Sequence, residues 1–263
     1  MTQSNPVLQN EFSFDRLFCE VLEGSNYSLY YNSHFSDDPI FNHAAISNYI
    51  LDSDEYSSIE IASIIDAIII STENVKVPAS IYVERFWKNA RKIEGDAIDS
   101  GFRIIEQMEV MTKKVEPPAE ECGDIKVDQT RDVDAWNKAF VKSFAIPPGW
   151  LPELERRVRI SLDDRSTILI MAKEKNLIEP SGCLLMHIDP QDHLGVYCVG
   201  TIPERRSHGV AKAMMAKAQG YAFENSCKRI LLQTLKSDGV TPMYLNMGFD
   251  IAFERDVLQL QPE

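Results

Sequence analysis

Apolar residues recur along the chain at two spacings, which predict a protein in which helices and strands alternate. The first helix is predicted within residues 1–25, and its apolar positions at helical spacing are Phe14, Leu17, Phe18, Val21 and Leu22. A second helix is predicted over residues 59–72, because its isoleucines follow the i, i+3, i+4, i+7 pattern of a buried face. Within it, the run 68–70 is equally compatible with a strand.

Short apolar runs bounded by turn residues predict strands. Two of them, 27–32 and 43–50, flank the turn-rich segment Ser36–Pro39 and predict a hairpin. The other predicted strands are 80–84, a strand after Gly101-Phe102, 125–128, 167–172, 182–188, 195–201, 229–235 and a strand after Gly248-Phe249. Further helices are predicted at 87–99, 132–144, 152–161, from the Gly209 region to about 223, and at 239–247.

The order helix, strand, helix, Gly-Phe, strand occurs twice, with Gly101-Phe102 and Gly248-Phe249 as matching landmarks. This repetition indicates two related halves. The pair Pro117-Pro118, followed by acidic residues, is typical of a linker. We therefore predict an N-terminal domain at 1–118, a linker at 119–123 and a C-terminal domain at 124–263.

Composition excludes several classes of protein. With 44% hydrophobic and 25% charged residues the chain is typical of a soluble globular protein, and its net charge of -13 argues against binding to nucleic acid or to an anionic membrane. The five cysteines are odd in number and contain no C-x-x-C pair, which favours reduced thiols. Without a signal peptide or an apolar run of about 18 residues, we expect a cytoplasmic location. The sequence leaves open whether the protein forms a homodimer.

The stretch from Val199 to Lys212 predicts an anion site. An apolar strand ends at Thr201, a turn containing Pro203 follows, and small residues from Gly209 onward open a helix. Small side chains let an anion approach the backbone N–H groups that a helix N-terminus leaves unpaired. The implied ligand is a phosphate or pyrophosphate.

Two motifs in the second half resemble those of the GNAT family of N-acetyltransferases. The segment Arg206-Ser207-His208-Gly209-Val210-Ala211 matches the family's R/Q-x-x-G-x-G/A motif, and Thr201-Ile202-Pro203-Glu204 precedes it much as Val-x-Pro-Glu does in the family. Downstream, Tyr244 to Phe249 matches a second signature, Tyr-x-x-x-Gly-Phe. The resemblance covers residues 124–260. It implies an α/β fold with a mixed, largely antiparallel splayed sheet flanked by helices.

The resemblance also implies a site and a reaction. The main chain of Val199, Gly200 and Thr201 would pair with the pantetheine arm of acetyl-CoA, the co-substrate, and no metal is implied. Tyr244 matches the general acid of many relatives, and the alternative is a core tyrosine that packs the last helix. The Val199 N–H would be the oxyanion donor. The pyrophosphate would be held by Arg206, Ser207, His208, Gly209, Val210, Ala211 and Lys212. The alternative is that Arg205 and Arg206 are surface charges and that Gly209 merely starts a helix.

The general base is not identified by the sequence. The candidates near strand ends are Asp189, His187, His193 and Glu204, each of which also suits a structural or solvent-facing role. Some relatives carry a catalytic Glu near the position of Gln233, which cannot titrate, so a relay through water stays open. The two histidines and Asp189 lack a metal-binding spacing. Cys198 is expected to be a buried thiol, and Trp150 to border the acceptor pocket.

In the first half, the segment corresponding to the anion loop is Leu51–Tyr56, which has carboxylates but no arginine or glycine. We expect this half to be a degenerate copy, so that the chain binds a single coenzyme. The predicted function is N-acetyl transfer from acetyl-CoA to a primary amine, a small molecule or a peptide, by direct attack in a ternary complex. The alternative is a non-catalytic acyl-CoA sensor or protein-interaction module.

Overall fold

A computed structural model describes residues 5–36, 38–47, 57–118, 124–175 and 177–262. The chain divides into two compact units. Unit 1 consists of Met1–Asn5, Phe18–Met111 and Gln233–Glu263, and unit 2 of Pro6–Leu17 and Thr112–Leu232. Unit 2 therefore includes Pro6–Leu17, although most of it is formed by Thr112–Leu232. Unit 1 includes Gln233–Glu263, although most of it is formed by Phe18–Met111.

Helices and strands alternate as the apolar pattern predicts. The helices of the described residues are α1 (Pro6–Phe18), α2 (Ser58–Val75), α3 (Ala90–Asp99), α4 (Val133–Phe144), α5 (Leu151–Ser161), α6 (Val210–Glu224) and α7 (Thr241–Asn246). The strands are β1 (Glu20–Glu23), β2 (Tyr27–Tyr31), β3 (His43–Ile46), β4 (Ser80–Glu84), β5 (Phe102–Lys114), β6 (Ile125–Thr130), β7 (Thr167–Glu174), β8 (Gly182–Ile188), β9 (His193–Thr201), β10 (Arg229–Leu235) and β11 (Asp250–Leu260).

In unit 1 the strand order is β1-β2-β3-β4-β11-β5. The pairs β1/β2, β2/β3 and β4/β11 are antiparallel, whereas β3 and β4, which flank α2 in the chain, are parallel. The core of this unit contains Leu29, Ile65, Ile81 and Phe102, all buried. The predicted hairpin of β2 and β3 is confirmed.

In unit 2 the strand order is β10-β9-β8-β7-β6. Strands β6 to β9 pair antiparallel in sequence order, whereas β9 and β10, which flank α6 in the chain, are parallel. Each unit thus contains one parallel crossover through a helix within a mainly antiparallel sheet. The predicted mixed α/β fold, largely antiparallel and flanked by helices, is confirmed. Whether the first half is a degenerate copy stays a prediction, and its segment 51–56 lies outside the described residues.

One local prediction changes in the structure, and one open alternative is decided. The first helix ends at Phe18, and Val21 and Leu22 lie in β1, because this strand pairs with β2 after a turn in which the Gly24 N–H donates to the Tyr27 carbonyl. The tertiary pairing overrides a helical spacing that extends over too few residues to fix a helix. The run 68–70 is helical: Ile68 is buried, whereas Ile70 is 58% exposed, as expected for one face of a helix.

The compact units differ from the contiguous domains 1–118 and 124–263, since α1 belongs mainly to unit 2 and residues 233–263 to unit 1. The division between related sequence halves stays a prediction, and the linker 119–123 lies outside the described residues. No helix in the described part of the chain is long and apolar enough to cross a membrane. Within the same residues, no three His, Cys, Asp or Glu side chains form a metal-ligand group.

Candidate functional site

The parallel strands β9 and β10 separate soon after they begin. Their register runs from the His193/Arg229 pair to the Gly195/Leu231 pair and ends there, although β9 continues to Thr201. Beyond this point Tyr197, Cys198 and Val199 are each partly exposed, even though β9 lies between two strands in the order of unit 2. From this separation and the partial exposure of these three residues we infer a groove along β9, in which backbone groups are available to a ligand.

A bulge interrupts the other side of β9, within the groove. Cys183 pairs with Gly200 and Leu185 with Tyr197, so Leu184 alone faces both Cys198 and Val199. Cys198 adopts a φ of 55°, as expected where an extra residue bends a strand. Such a bulge takes backbone groups of Cys198 and Val199 out of the regular ladder with β8.

Two glycines allow helices to approach the strands closely here. A Cβ on Gly200 would lie 2.7 Å from the Ser143 Cβ, at the end of α4. A Cβ on Gly182 would lie 2.6 Å from the Gly200 carbonyl oxygen and 2.8 Å from a methyl of Val210, the first residue of α6. The glycines therefore position the C-terminus of α4 and the N-terminus of α6 against the groove.

The predicted anion loop leads from Thr201 into α6. After the 3-10 turn Pro203–Arg205, residues 206–209 are exposed, and Gly209 adopts a φ of 85° directly before the helix. A Cβ on Gly209 would meet nothing closer than 3.9 Å, so its conformation and not crowding calls for glycine. The Gly209 carbonyl accepts the first helical hydrogen bond, from the Ala213 N–H at 2.9 Å.

No side chain caps the N-terminus of α6. By the geometry of a helix, the N–H groups of Gly209, Val210, Ala211 and Lys212 have no acceptor within it. They point outward from the positive end of the helix dipole, which favours an anion. The loop and the first turn of α6 thus form a backbone cradle suited to phosphate oxygens.

The Arg206 side chain connects this loop to α4 and β9 by hydrogen bonds. Its Nη2 donates to the Ser143 carbonyl at 3.1 Å and its Nε to the Thr201 carbonyl at 3.4 Å. Beside it, Glu174 of β7 lies 3.8 Å from Arg205 and 3.4 Å from His208. Ser207, between them, adopts a φ of 66°. The shape of the loop therefore depends on backbone carbonyls of α4 and β9 and on the Glu174 side chain of β7.

Tyr244 lies in α7 of unit 1, whereas every other predicted site residue belongs to unit 2. It is 6% exposed, and its ring packs edge-on against Phe249 with centroids 5.9 Å apart. Burial, together with the negative charge of Asp238, raises the pKa of Tyr244 to about 12. The phenol is therefore protonated at neutral pH.

The base candidates have distinct surroundings. The ring of His187 is buried between Ser13, 2.8 Å from Nε2, and Thr167, 3.2 Å from Nδ1, and burial lowers its pKa. His193 presents Nδ1 to Asp189 Oδ2 at 3.2 Å, and the other Asp189 oxygen accepts the His193 N–H at 3.0 Å. The His187 ring is thus enclosed by two hydroxyl groups, and Asp189 holds the turn before β9.

The other residues that the sequence suggested for the site have the following surroundings. Glu204 is exposed in the 3-10 turn, and Gln233 belongs to unit 1. Burial raises the pKa of the Cys198 thiol to about 12, which disfavours the thiolate that a covalent acetyl-enzyme would need. Trp150 precedes α5 and is partly exposed.

Two contributions were not apparent from the sequence. Trp136 of α4 donates its indole N–H to the Leu184 carbonyl at 3.0 Å, opposite the bulge. Helix α1 lies in unit 2, where Asn10 and Phe14 contact Tyr197. Periodicity marks Phe14 as buried, but no local signal indicates that its partner is Tyr197, which is far away along the chain.

Comparison with known proteins relates part of the sequence to one family and the fold to several solved structures. Residues 133–249 match the model of the acetyltransferase (GNAT) family. A GCN5-related N-acetyltransferase from Kribbella flavida aligns over 97% of this chain and 94% of its own, with a TM-score of 0.69 and 11% identity. The corresponding protein from Sphaerobacter thermophilus aligns over 97% and 91%, with a TM-score of 0.65 and 14% identity.

A tandem GNAT protein from the clavulanic acid biosynthesis pathway is also similar in fold, with a TM-score of 0.60, 10% identity and coverage of 84% of this chain and 76% of its own. Curated protein sequences gave no match. The family match and the shared fold lead to one conclusion: residues 133–249 are similar to the acetyltransferase (GNAT) family, and the chain has the fold of GCN5-related N-acetyltransferases.

Proposed function

We propose that this protein transfers an acetyl group from acetyl-CoA to a primary amine, by direct attack in a ternary complex. The proposal rests mainly on the groove where β9 leaves β10 at Gly195, since this groove leads to the uncapped N-terminus of α6 at Gly209. A long ligand with an extended arm and an anionic end fits these two features together. Acetyl-CoA has this shape and supplies the acetyl thioester.

The residues present suit this ligand. The N–H groups from Ser207 to Lys212 would hold its pyrophosphate. Arg206, whose own N–H donates to the Pro203 carbonyl at 3.3 Å, would keep the loop in shape through its side chain. The main chain of Val199, Gly200 and Thr201 would pair with the pantetheine arm as a strand would. The Val199 N–H, beside the bulge, would donate to the acetyl carbonyl as negative charge develops on its oxygen.

The attacking amine must first lose a proton, since an alkylamine with a pKa near 10 is mostly charged at neutral pH. His193 is held by Asp189, and five residues of strand lie between it and Val199, a backbone span of about 20 Å. This span argues against direct proton transfer from the amine to His193. We infer that the amine proton leaves through water in the groove, and that the amine's own pKa governs the rate.

Tyr244 is proposed as the proton donor to the departing thiolate. Its pKa of about 12 supports the role in one respect, because the phenol retains its proton at working pH. Such a weak acid acts mainly by hydrogen bonding to the sulfur as charge develops there. Cys198 has no part in the reaction.

Isothermal calorimetry with acetyl-CoA tests the proposal. Wild-type protein should bind, and Gly209→Glu should bind at least about tenfold more weakly because a carboxylate occupies the anion cradle. Gly209→Gln is the matched control, since it has the same backbone cost and nearly the same volume without the charge. Absence of binding by the wild type, or equal binding by Gly209→Glu and Gly209→Gln, would refute the proposed site.

Release of free coenzyme over a panel of amines and peptides then separates catalysis from sensing. Turnover with at least one amine supports the transferase. Coenzyme binding without turnover on any acceptor would instead assign the chain to the acyl-CoA sensors or interaction modules.

A further inference from the structure

Helix α1 contributes a fully buried amide to unit 2. The Asn10 side chain is 0% exposed, and its Nδ2 donates to the backbone carbonyls of His193, at 3.1 Å, and His187, at 3.4 Å. These two bonds fix which end of the amide carries oxygen. The remaining atom, Oδ1, accepts a hydrogen bond from the Tyr197 hydroxyl at 2.7 Å.

The Asn10 side chain can occupy this position only because residue 195 is glycine. A Cβ at residue 195 would lie 2.0 Å from Asn10 Oδ1, so any side chain there would expel the amide. A second residue of α1, Phe14, stacks on the Tyr197 ring with centroids 3.6 Å apart and planes within 3°. Two residues of α1 therefore hold the phenol, one through its hydroxyl and one through its ring.

This arrangement determines what the phenol can offer to a ligand. Because Oδ1 of an amide only accepts hydrogen bonds, the Tyr197 O–H must donate to it. The lone pairs of the phenol oxygen are then left as acceptors. Tyr197 is partly exposed and directly precedes Cys198 and Val199, the residues of the bulge.

The position along β9 indicates which substrate meets Tyr197. A coenzyme anchored at Gly209 would enter the groove past Thr201 and reach Val199 with its thioester. The part of the groove beyond the bulge, toward the Gly195/Leu231 pair where β9 and β10 join, is left for the acceptor. Tyr197 lies in that part.

We propose that α1 forms the acceptor-side wall of the groove, where Tyr197 accepts a hydrogen bond from an aliphatic ammonium or amine group and Asn10 is the positioning residue that orients its hydroxyl. This inference rests on the proposed acetyl transfer and assigns its acceptor side. It also gives the N-terminal segment, outside the family match at 133–249, a part in substrate recognition.

Charge on the same helix favours a cationic acceptor. Glu11 and Asp15 are buried on α1. Desolvation raises the pKa of Tyr197, and the charges of Asp15, Glu11 and Asp189 raise it further, in that order. Carboxylate charge near the phenol would attract an ammonium group. Aliphatic amines should therefore be better acceptors than neutral arylamines.

Steady-state kinetics with the best aliphatic amine tests the inference. Tyr197→Phe removes one hydroxyl, keeps the ring against Phe14, and should raise the KM for the amine about fivefold or more, with the Kd for acetyl-CoA within about twofold. Asn10→Ala should raise the same KM. If Asn10 acts through Tyr197, the double variant should have the same amine KM as Tyr197→Phe alone. The effects of the two substitutions on KM should therefore not add.

The control is Tyr221→Phe, which removes a partly buried phenol from α6 of the same unit and should leave both constants unchanged. Thermal unfolding of each variant reports folding, and Tyr197→Phe remains decisive if Asn10→Ala does not fold. Wild-type turnover with an unchanged amine KM in Tyr197→Phe, or fully additive effects, would overturn this inference alone. Absence of wild-type acetyl-CoA binding or turnover would overturn the proposed function and this inference with it.

Discussion

The indole N–H of Trp136 donates a hydrogen bond to the Leu184 carbonyl across 3.0 Å, at the place where β8 faces the bulge of β9. Leu184 pairs with Ile170 of β7 on one side and faces two residues of β9 on the other, where the ladder is irregular. A buried carbonyl without a partner is costly, and the indole supplies one from α4. The bulge that presents Val199 to the groove is thus stabilised by a side chain from another element.

Replacement of Trp136 by Phe should destabilise the protein and weaken coenzyme binding. The buried Leu184 carbonyl would lose its donor, at a cost of about 1–3 kcal/mol in the free energy of unfolding measured in urea. Phe140→Leu is the control, because it trims the ring stacked on Trp136 and keeps the hydrogen bond. Equal loss of acetyl-CoA affinity in both variants would contradict a specific role for the indole.

Arg206→Ala should weaken acetyl-CoA binding about tenfold in calorimetry, because the loop loses its bonds to the Ser143 and Thr201 carbonyls. Arg206→Lys should not restore binding, since an ammonium lacks the planar fork that reaches two acceptors. Arg205→Ala removes the same charge without these bonds and should cost less. If both alanine variants lose affinity equally, the effect is one of charge and not of loop shape.

Tyr244→Phe should lower kcat about 100-fold while the Kd for acetyl-CoA is unchanged. Because the pKa of Tyr244 is raised to about 12, the phenol stays protonated throughout the assay range. The ratio of wild-type to variant kcat should therefore be constant between about pH 6 and pH 9. A ratio that falls as pH rises within this range would show that the Tyr244 phenol itself ionises there, and an equal kcat in both proteins would contradict its role as the proton donor.

His193→Asn should keep kcat/KM for the amine within about threefold, since the imidazole lies too far from Val199 for direct transfer. In both proteins kcat/KM should rise with pH toward the pKa of the amine itself. A drop of about 100-fold, together with loss of the acidic limb of the pH profile, would identify His193 as the base.

One coenzyme should bind per chain. In unit 1 the N-terminus of α2 is already capped, since Ser57 Oγ accepts the Glu60 N–H at 3.3 Å and the Glu60 carboxylate accepts the Ser57 N–H at 2.7 Å. This capping box places a carboxylate where α6 offers open donors. Calorimetry should give a stoichiometry near one, unchanged by Ser57→Ala, and a value near two would contradict a single site.

Short-range patterns determined much of this protein. The motif at 206–211 specifies a loop and a helix start through residues that are close together in the sequence. Gly209 permits the positive φ before the helix, and as a glycine it has no side chain that could cap the helix. The helix over 58–75 was predictable, since its buried isoleucines share one face. The predicted roles of the site residues from Val199 to Lys212, and of Tyr244, stay predictions.

Only the tertiary structure decided the rest. Helical spacing near Val21 lost to strand pairing with β2, and the groove exists because β9 and β10 separate after Gly195. Asn10 and Tyr197 meet although 187 residues separate them. Hydrophobic periodicity reports which face of an element is buried but carries no record of what covers it, because packing is set by the assembled elements and not by neighbours in the chain.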